Sequence, residues 1–373
     1  MIQSISKTHP FKFALMAGLT TIMLYAGMPD ASAAGYTVQQ INIPGLTARM
    51  SNNGAIVGNY SPKCTSFTYE YHQKGIYCYQ APWFYDGKSL IKLGTVWSNT
   101  RSAAADINDS LQLTGSDGSG AWTYSGGAIT RMTGGTPAAI NNAGVAVGNA
   151  NVNLVSRAVR FINDVGTEVF DPLFNDPNYP DLSVHLSNPA TPTSAVDINN
   201  SGLIAGSYKD AGNIKQSYVV DTNDKLTLIP NLGGTTPVNC EPTRISETNP
   251  TTGETWVAGN CLARAFVYEL TSGILIELAN LPGAGSLSVI SVNSSGEAVG
   301  VSTNNQNLST AVMWSVSNTN PSNPTDLNAN QAIAPTGGAY NLRAVDINEA
   351  GDILTDYIDS NAKFNAVLLK PIP

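Results

Sequence analysis

Three aspartates occupy the same position of a repeated segment, and they are the side chains best suited to chemistry. Each stands immediately before an Ile-Asn pair: Asp106, Asp197 and Asp346. Carboxylates brought together around one axis can bind a cation or act as a general acid and base. An Asp before a tight turn more often bonds to the local backbone instead, which favours a structural role. The equivalent positions of the other copies are Arg49, Ala139, Arg244 and Ser291.

A second candidate site is a run of aromatic residues in and beside a segment bounded by two cysteines. Aromatic rings give large, rigid contact areas that stack on sugars or on partner side chains. The alternative is a hairpin that packs Phe67 and its alternate neighbours against the underlying sheet, since alternate residues of a strand share a face. The residues predicted to bind a ligand are Tyr69, Tyr71, His72, Tyr77 and Tyr79.

The four cysteines can pair in three ways, and local pairing requires the least loop closure. The predicted disulfides therefore join Cys64 to Cys78 and Cys240 to Cys261. A zinc site is not predicted, because the sequence has no CxxC pair and only His72 and His185 lie beyond the first 33 residues. No nucleophile elbow and no phosphate-binding or dinucleotide-binding motif is present, so no cofactor is predicted. His185 is expected in a loop or a short strand.

The composition indicates many short strands joined by tight turns. Of 373 residues, 42% are hydrophobic and 12% are charged, and 34 Gly and 21 Pro supply turn conformations. The net charge of −8 argues against nucleic acid or an anionic membrane as a partner. The chain is long enough for two or three ordinary domains or for one large β assembly.

Residues 1–33 have the pattern of a secretory signal peptide. Lys7 and Lys12 precede an apolar run over residues 13–28, and small residues follow at positions 31–33. The run is shorter than the roughly 20 residues that span a bilayer, although a retained anchor is the alternative. The sequence thus predicts a secreted or periplasmic protein whose mature part, residues 34–373, is one domain without membrane insertion.

A segment of alternating apolar residues around an Asn-x-x-Gly turn recurs seven times, at intervals that average about fifty residues. Each copy predicts a β-hairpin, and a second strand pair follows it, for example around residues 265–268 and 274–278. Four strands per unit are typical of a propeller blade. The copies begin at Arg49, Asp106, Ala139, Asp197, Arg244, Ser291 and Asp346.

The two ends of the sequence complete each other in this scheme. The last unit lacks a fourth strand, whereas residues 36–43 form a strand before the first unit. We therefore predict an all-β, seven-bladed propeller in which this N-terminal strand pairs beside residues 366–369. Separate sandwich domains and an open solenoid are the alternatives. The longest inserts, residues 59–80, 171–192 and 328–342, are all predicted on one rim, which is then the binding face.

The repeat resembles the bacterial extracellular HAF-repeat family. The resemblance is carried by residues 140–144 with Val147 and Gly148, by Ala-Phe-Val-Tyr at residues 265–268, and by Leu-Gly-Gly and Leu-Pro-Gly at residues 232–234 and 281–283. It covers nearly all of the chain after residue 33. The family has a His before Ala-Phe, but Arg157, Arg264 or Thr310 stands there in this sequence, so no role of that His transfers.

The resemblance implies an exported repeat protein without a defined reaction. The function predicted from the sequence is an exported binding module that contacts a protein or a glycan through its loop-rich rim. A hydrolytic propeller using Asp106, Asp197 or Asp346 is the alternative from another class, and a purely structural surface protein is the third.

Overall fold

The strands of the chain form a ring of seven antiparallel sheets. Each sheet contacts the next through its inner strands, and the seventh sheet contacts the first. The fold is therefore a seven-bladed β-propeller, as the repeat predicts. The computed structural model describes residues 32–33, 35–61, 64–68, 74–78, 80–94, 101–233, 236–317, 320–321, 323–327, 342–358 and 364–372.

The strands of blades 1 to 3 follow one another outwards from the central channel. The described chain begins with β1 (Ser32–Ala33) and β2 (Tyr36–Asn42). Blade 1 contains β3 (Leu46–Met50), β4 (Ile56–Tyr60), an inserted hairpin of β5 (Cys64–Thr68) and β6 (Lys74–Cys78), then β7 (Ala81–Tyr85) and β8 (Leu90–Lys92). Blade 2 contains β9 (Ser102–Ile107), β10 (Leu113–Asp117), β11 (Gly120–Ser125) and β12 (Ala128–Arg131). Blade 3 contains β13 (Thr136–Ile140), β14 (Ala146–Val152), β15 (Val155–Ile162) and β16 (Val165–Glu168).

Blades 4 to 7 repeat the same order after the helix α1 (Pro180–Ser187). Blade 4 contains β17 (Thr193–Ile198), β18 (Ile204–Lys209), β19 (Lys215–Val220) and β20 (Leu226–Ile229). Blade 5 contains β21 (Cys240–Ile245), β22 (Trp256–Cys261), β23 (Arg264–Glu269) and β24 (Ile274–Glu277). Blade 6 contains β25 (Ala284–Val292), β26 (Glu297–Asn304), β27 (Ser309–Ser317), β28 (Asn320–Pro321) and β29 (Thr325–Asp326). Blade 7 contains β30 (Arg343–Ile347), β31 (Ile353–Ile358) and β32 (Phe364–Pro371).

The N-terminal strand closes the ring. β2 lies antiparallel to β32, with Val38 opposite Leu369 and Ile41 opposite Ala366. Blade 7 therefore takes its fourth strand from the beginning of the chain, which confirms the predicted closure. β1 pairs with β2 as well, so Ser32 lies in the sheet although it belongs to the predicted signal peptide.

The core lies between the blades, and the repeated Gly of the second strand has a packing reason. In blade 1, a Cβ added to Gly58 would lie 2.4 Å from the ring of Trp83, and in blade 5 a Cβ on Gly259 would lie 2.3 Å from the ring of Phe266. The aromatic side chain of the third strand thus lies flat over a glycine of the second strand. Only glycine permits this contact, so the repeat keeps Gly where the ring is large.

The insert between blades 3 and 4 differs from the expected loop. Residues 169–192, called the strap below, contain α1, and His185 lies within this helix rather than in a loop or a strand. Phe170 and Phe174 of the strap are buried in a cluster with Tyr218 of blade 4. Packing of these rings fixes a segment that has no repeat pattern of its own, which explains why the repeat did not predict its structure.

Candidate functional site: the channel and the two rims

A β-bulge sets the side chains that face the central channel. In every blade, the register of the first and second strands shifts by one residue at the same place, for example between Ala195 and Asp197 and between Ala344 and Asp346. A bulge bends its strand and re-aims the next side chain. The three aspartates and Arg244 follow the bulge directly. Asp106, Asp197 and Arg244 line the channel cavity, and Asp346 lies beside Arg244.

The three aspartates are buried and bind the backbone of the next blade. Asp106 accepts a hydrogen bond from Ile140 N (2.9 Å), Asp197 from Ile245 N (2.8 Å) and Asp346 from Met50 N (2.9 Å). These are contacts from blade 2 to 3, from 4 to 5 and from 7 to 1. The expectation of a local cap is thus corrected, because the bulge turns each carboxylate towards its neighbour. Only Asp346 also bonds near itself, to Ile347 N at 3.1 Å.

Arg244 occupies the centre of the carboxylate cluster. Its Nε lies 3.5 Å from Asp197 Oδ2 and its Nη2 lies 3.4 Å from Asp346 Oδ2. Burial lowers the pKa of Arg244, but the three aspartates and Glu247 raise that pKa overall. A guanidinium therefore lies where the sequence suggested a bound cation. Among the described residues, no group of three or more His, Cys, Asp or Glu side chains is arranged to hold a metal ion.

Two acids of the channel have pKa values in the neutral range. Burial raises the pKa of Asp106 to about 6, against the opposing effect of Arg244. Burial also raises the pKa of Glu247 to about 7, helped by the nearby carboxylates of Glu349 and Asp197. Asp106 Oδ1 and Arg244 Nη1 are buried and have no hydrogen-bond partner in the part of the chain that the structure describes. The cavity of about 50 Å³ beside them accommodates only a few waters, and the three aspartates are each less than 5% exposed.

The geometry of the channel therefore does not suit glycoside hydrolysis by Asp106, Asp197 or Asp346, which was the alternative function predicted from the sequence. That chemistry needs two carboxyl groups that flank a substrate bond. Here two of the three aspartates share one guanidinium, and each of the three is engaged by a backbone N–H. The arrangement is suited to joining blades.

The repeated asparagines form a second set of contacts at one end of the channel, here called the turn rim. This rim consists of the turns between first and second strands and between third and fourth strands. Asn141 Oδ1 accepts from Ala143 N and Val145 N of its own turn, and its Nδ2 donates to Asn199 O of the next blade at 3.2 Å. The equivalent amides donate in the same way at other junctions: Asn108, Asn199, Asn293 and Asn348.

The opposite end of the channel, called the insert rim, consists of the turns between second and third strands and the links between blades. The disulfide Cys240–Cys261 lies there and joins the first two strands of blade 5, which confirms one predicted pairing. Five leucines are exposed on this rim: Leu46 (44%), Leu154 (95%), Leu173 (86%), Leu262 (73%) and Leu308 (39%). The turn rim exposes Ile162 (51%) and Val165 (55%).

The predicted aromatic site falls in the inserted hairpin of blade 1. Tyr69, Tyr71, His72 and Tyr79 lie outside the described residues, as does the side chain of Tyr77. The backbone of the hairpin pairs Cys64 with Cys78 directly opposite each other. The cysteine side chains also lie outside the description, so this disulfide stays a prediction, as does ligand binding by the five aromatic residues.

Sequence reasoning missed two arginines on the insert rim. Arg157 is fully buried under the strap, and Arg264 is exposed at the equivalent position of blade 5. One sequence signal could have identified them. Both arginines stand directly before the Ala of the third strand, at the position where the HAF-repeat family has a His. Among the described residues, no helix has both the length and the hydrophobicity needed to cross a membrane.

No family model and no curated protein matches this sequence. Solved structures with similar folds include the extracellular domain of a protein from B. thetaiotaomicron, with 13% identity, a TM-score of 0.46, and coverage of 89% of this chain and 39% of that one. A sialidase from Trypanosoma rangeli has 11% identity, a TM-score of 0.38, and coverage of 87% and 54%. A puromycin-hydrolyzing peptidase from Mycobacterium tuberculosis has 11% identity, a TM-score of 0.38, and coverage of 88% and 52%.

This chain thus spans about two fifths to one half of the length of these structures. The class of protein is defined by the sheets described above: the chain is a seven-bladed β-propeller module.

Proposed function

We propose that this propeller is an exported interaction module that binds a partner protein through its insert rim. The carrying observation is the contrast between the rims. The turn rim repeats one set of contacts that hold the blades together, whereas the insert rim presents irregular inserts and exposed leucines. Binding residues concentrate on variable loops set on a rigid scaffold.

Two of the exposed leucines have unfavourable backbone conformations. Leu154 has φ 68° and Leu262 has φ 57°, both in turns between second and third strands. The left-handed region costs a residue with a side chain roughly 1–2 kcal/mol, and glycine or asparagine would relieve that cost. Neither folding nor solubility accounts for a leucine at these positions, and contact with a partner does.

A protein partner is favoured over a glycan by the described surface. Sugar recognition relies on exposed aromatic rings, and the large exposed hydrophobic side chains of the described residues are Leu, Ile and Val. The aromatic hairpin of blade 1, with Tyr69 and Tyr71, is the part of this rim that would favour a glycan. Glycan binding is therefore an alternative outcome of the test.

Export is the second element of the proposal. The signal-peptide pattern of residues 1–33, the Cys240–Cys261 disulfide and the HAF-like repeat support it, since disulfides persist in oxidising compartments. Mass spectrometry of the chain recovered outside the cytoplasm is expected to give Ala34 at the N-terminus. Recovery of the chain with residues 1–33 attached, in the cytoplasm, would contradict export.

Paired variants on the two rims test the binding face. Leu154→Asp and Leu262→Asp alter the insert rim, and Ile162→Asp is the matched control at the other end of blade 3. The probes are a random peptide library and a glycan microarray. The insert-rim variants are expected to lose at least about tenfold in affinity for the selected ligands, and Ile162→Asp is expected to bind like the parent.

The outcomes are distinct. Equal loss in all three variants, or loss in Ile162→Asp alone, would contradict the insert rim as binding face. Retention of glycans but not peptides would replace the protein partner by a glycan. Binding of neither probe by the parent chain would argue for a purely structural role.

A further inference from the structure

Two blades carry the same arginine and glutamate pair at the insert rim. Arg157 of β15 and Arg264 of β23 each stand directly before the Ala that opens the third-strand pattern. Arg157 Nε donates to Glu168 at 2.8 Å, and Arg264 donates to Glu277 through Nε and Nη2. Both glutamates end the fourth strand of their blade. The two sites are therefore equivalent in the fold, and the difference between them lies in what covers each arginine.

In blade 3 the arginine binds a folded polypeptide segment. All five N–H donors of Arg157 are engaged. One bonds to Glu168, and four bond to backbone carbonyls of the strap: Phe170, Leu186, Asn188 and Thr191. Two of these carbonyls belong to the C-terminal end of α1, where helix carbonyls lack partners and carry partial negative charge. The strap leaves Arg157 0% exposed.

In blade 5 the equivalent place is open. Among the described residues, the acceptors of Arg264 are Glu277 and, through Nη1 at 3.3 Å, Leu232 O. Two of its five donors therefore have no acceptor within this part of the chain. Its side chain is 46% exposed. No strap follows β24, since β25 begins seven residues after it ends. The result is an open groove of about 470 Å³ between blades 5 and 6, lined by Ala263, Arg264, Glu277, Leu278, Ala279, Asn280 and Leu287.

The walls of this groove are held in place by neighbouring contacts. Trp314 Nε1 donates to Ala279 O at 2.9 Å, and Asn260 exchanges two hydrogen bonds of 2.9 Å with the backbone of Val289. The Cys240–Cys261 disulfide fixes the strand ends next to Leu262. A rigid groove loses little conformational entropy when a ligand binds.

We propose that this groove binds a segment of a partner polypeptide whose backbone carbonyls, at the end of a short helix, accept hydrogen bonds from Arg264. The strap provides an example within the same chain, because its backbone carbonyls accept hydrogen bonds from Arg157 at the equivalent position of blade 3. Charge complementarity supports the occupant, because a guanidinium with available N–H groups matches the negative end of a helix. Among the described residues that line the groove, none is aromatic, which favours a peptide over a sugar. The inference rests on the proposed function and names its partner class.

Peptide selection followed by point variants tests the proposal. A library of random peptides, about twelve residues long to match a short helix with its end, is selected on the full folded chain. The affinity of the enriched peptides is then measured by fluorescence polarisation. Arg264→Met is expected to weaken them at least about tenfold, since hydrogen bonds to charged groups are lost. Arg264→Lys is expected to weaken them too, because it keeps the charge but not the forked donors.

Lys215→Met is the matched control, because Lys215 forms an equally exposed ion pair with Glu241 on the same rim. It is expected to bind within about twofold of the parent chain, as exposed pairs contribute little. Hydrogen exchange is expected to show protection of residues 262–264 and 278–281 when the peptide is bound. Thermal unfolding of each variant confirms that it is folded.

The results separate this inference from the proposed function. Peptides that bind Arg264→Met as well as the parent, but lose affinity for Leu154→Asp, would overturn the groove and leave the insert rim as binding face. Failure of the library to yield any peptide bound to the parent chain would overturn both.

Discussion

The two rims of the propeller are built from the same strands but differ in how they use them. On the turn rim, the same asparagine contacts recur from blade to blade, as at Asn141 and Asn348. On the insert rim, blade 1 has a hairpin, blade 3 a strap and blade 5 a disulfide. Repetition thus identifies the contacts that hold the ring together, and departure from repetition identifies the surface available for binding.

The largest expected effect is at the closure of the ring. Asp346→Ala removes the acceptor of Met50 N and one of the two carboxylates that form ion pairs with Arg244. A buried charge left with one partner fewer costs about 3–5 kcal/mol. The free energy of unfolding measured with urea is expected to fall by that amount, whereas Lys215→Met on the insert rim is expected to change it by less than about 1 kcal/mol.

Asp346→Asn is the control for this comparison. It keeps an oxygen for Met50 N but loses the charge, so an intermediate loss is expected. Equal, small losses for Asp346→Ala and Lys215→Met would break the contrast between the channel contacts and the rim ion pairs.

The second effect concerns pH. The pKa of Asp106 is about 6 in the fold and 3.8 as its ordinary value. Between these values the folded chain binds more protons than the unfolded chain, so the contribution of Asp106 to stability is present below pH 4 and falls as the pH rises through 6. Asp106→Asn has no carboxylate to ionise, so it avoids this loss. At pH 8 its free energy of unfolding is expected to be about 1–3 kcal/mol larger than that of the parent chain.

Urea unfolding of both chains at pH 4 and pH 8 measures this difference. At pH 4 the two are expected to be similar, because Asp106 is then protonated in the fold. A lower stability of Asp106→Asn at pH 8 would mean that the ionised carboxylate is a net favourable partner of Arg244.

The smallest effect tests the repeated asparagine itself. Asn141→Ala removes both the turn cap and the donor to Asn199 O, and a loss of about 1–2 kcal/mol is expected. Asn151→Ala, an exposed site at the insert-rim end of the same blade, is expected to change stability by less than about 0.5 kcal/mol. Thermal or urea unfolding of the two variants gives the comparison, and equal effects would remove the special role of the repeat Asn.

The repeat was sufficient to predict the fold because its period, its turn residues and its incomplete last unit are all local signals. The same signals placed β2 beside β32, and local loop closure predicted Cys240–Cys261. The bulge before Asp106, Asp197 and Asp346 could not be predicted from them, since it depends on the pairing of two strands. Because the bulge could not be predicted, the sequence did not indicate that each carboxylate points towards the next blade.

The strap and the arginine sites were beyond the sequence for a different reason. The strap has no repeat pattern. Its structure depends on the packing of Phe170 and on the hydrogen bonds that Arg157 donates to its backbone carbonyls. The equivalence of Arg157 and Arg264 is visible in the sequence, but which of them is covered depends on chain connections between blades. Sequence patterns report the shared framework, and tertiary packing decides the individual blades.

The pairing of β2 with β32 makes a seam between a strand near the N-terminus and the last described strand. During synthesis, β2 emerges long before its neighbour, so this seam can form only after residues 364–371 have been released. A copy truncated before that point would keep two open sheet edges, which are the surfaces that pair with other chains or reach a protease. The seam thus makes the stability of the whole ring conditional on the synthesis of β32.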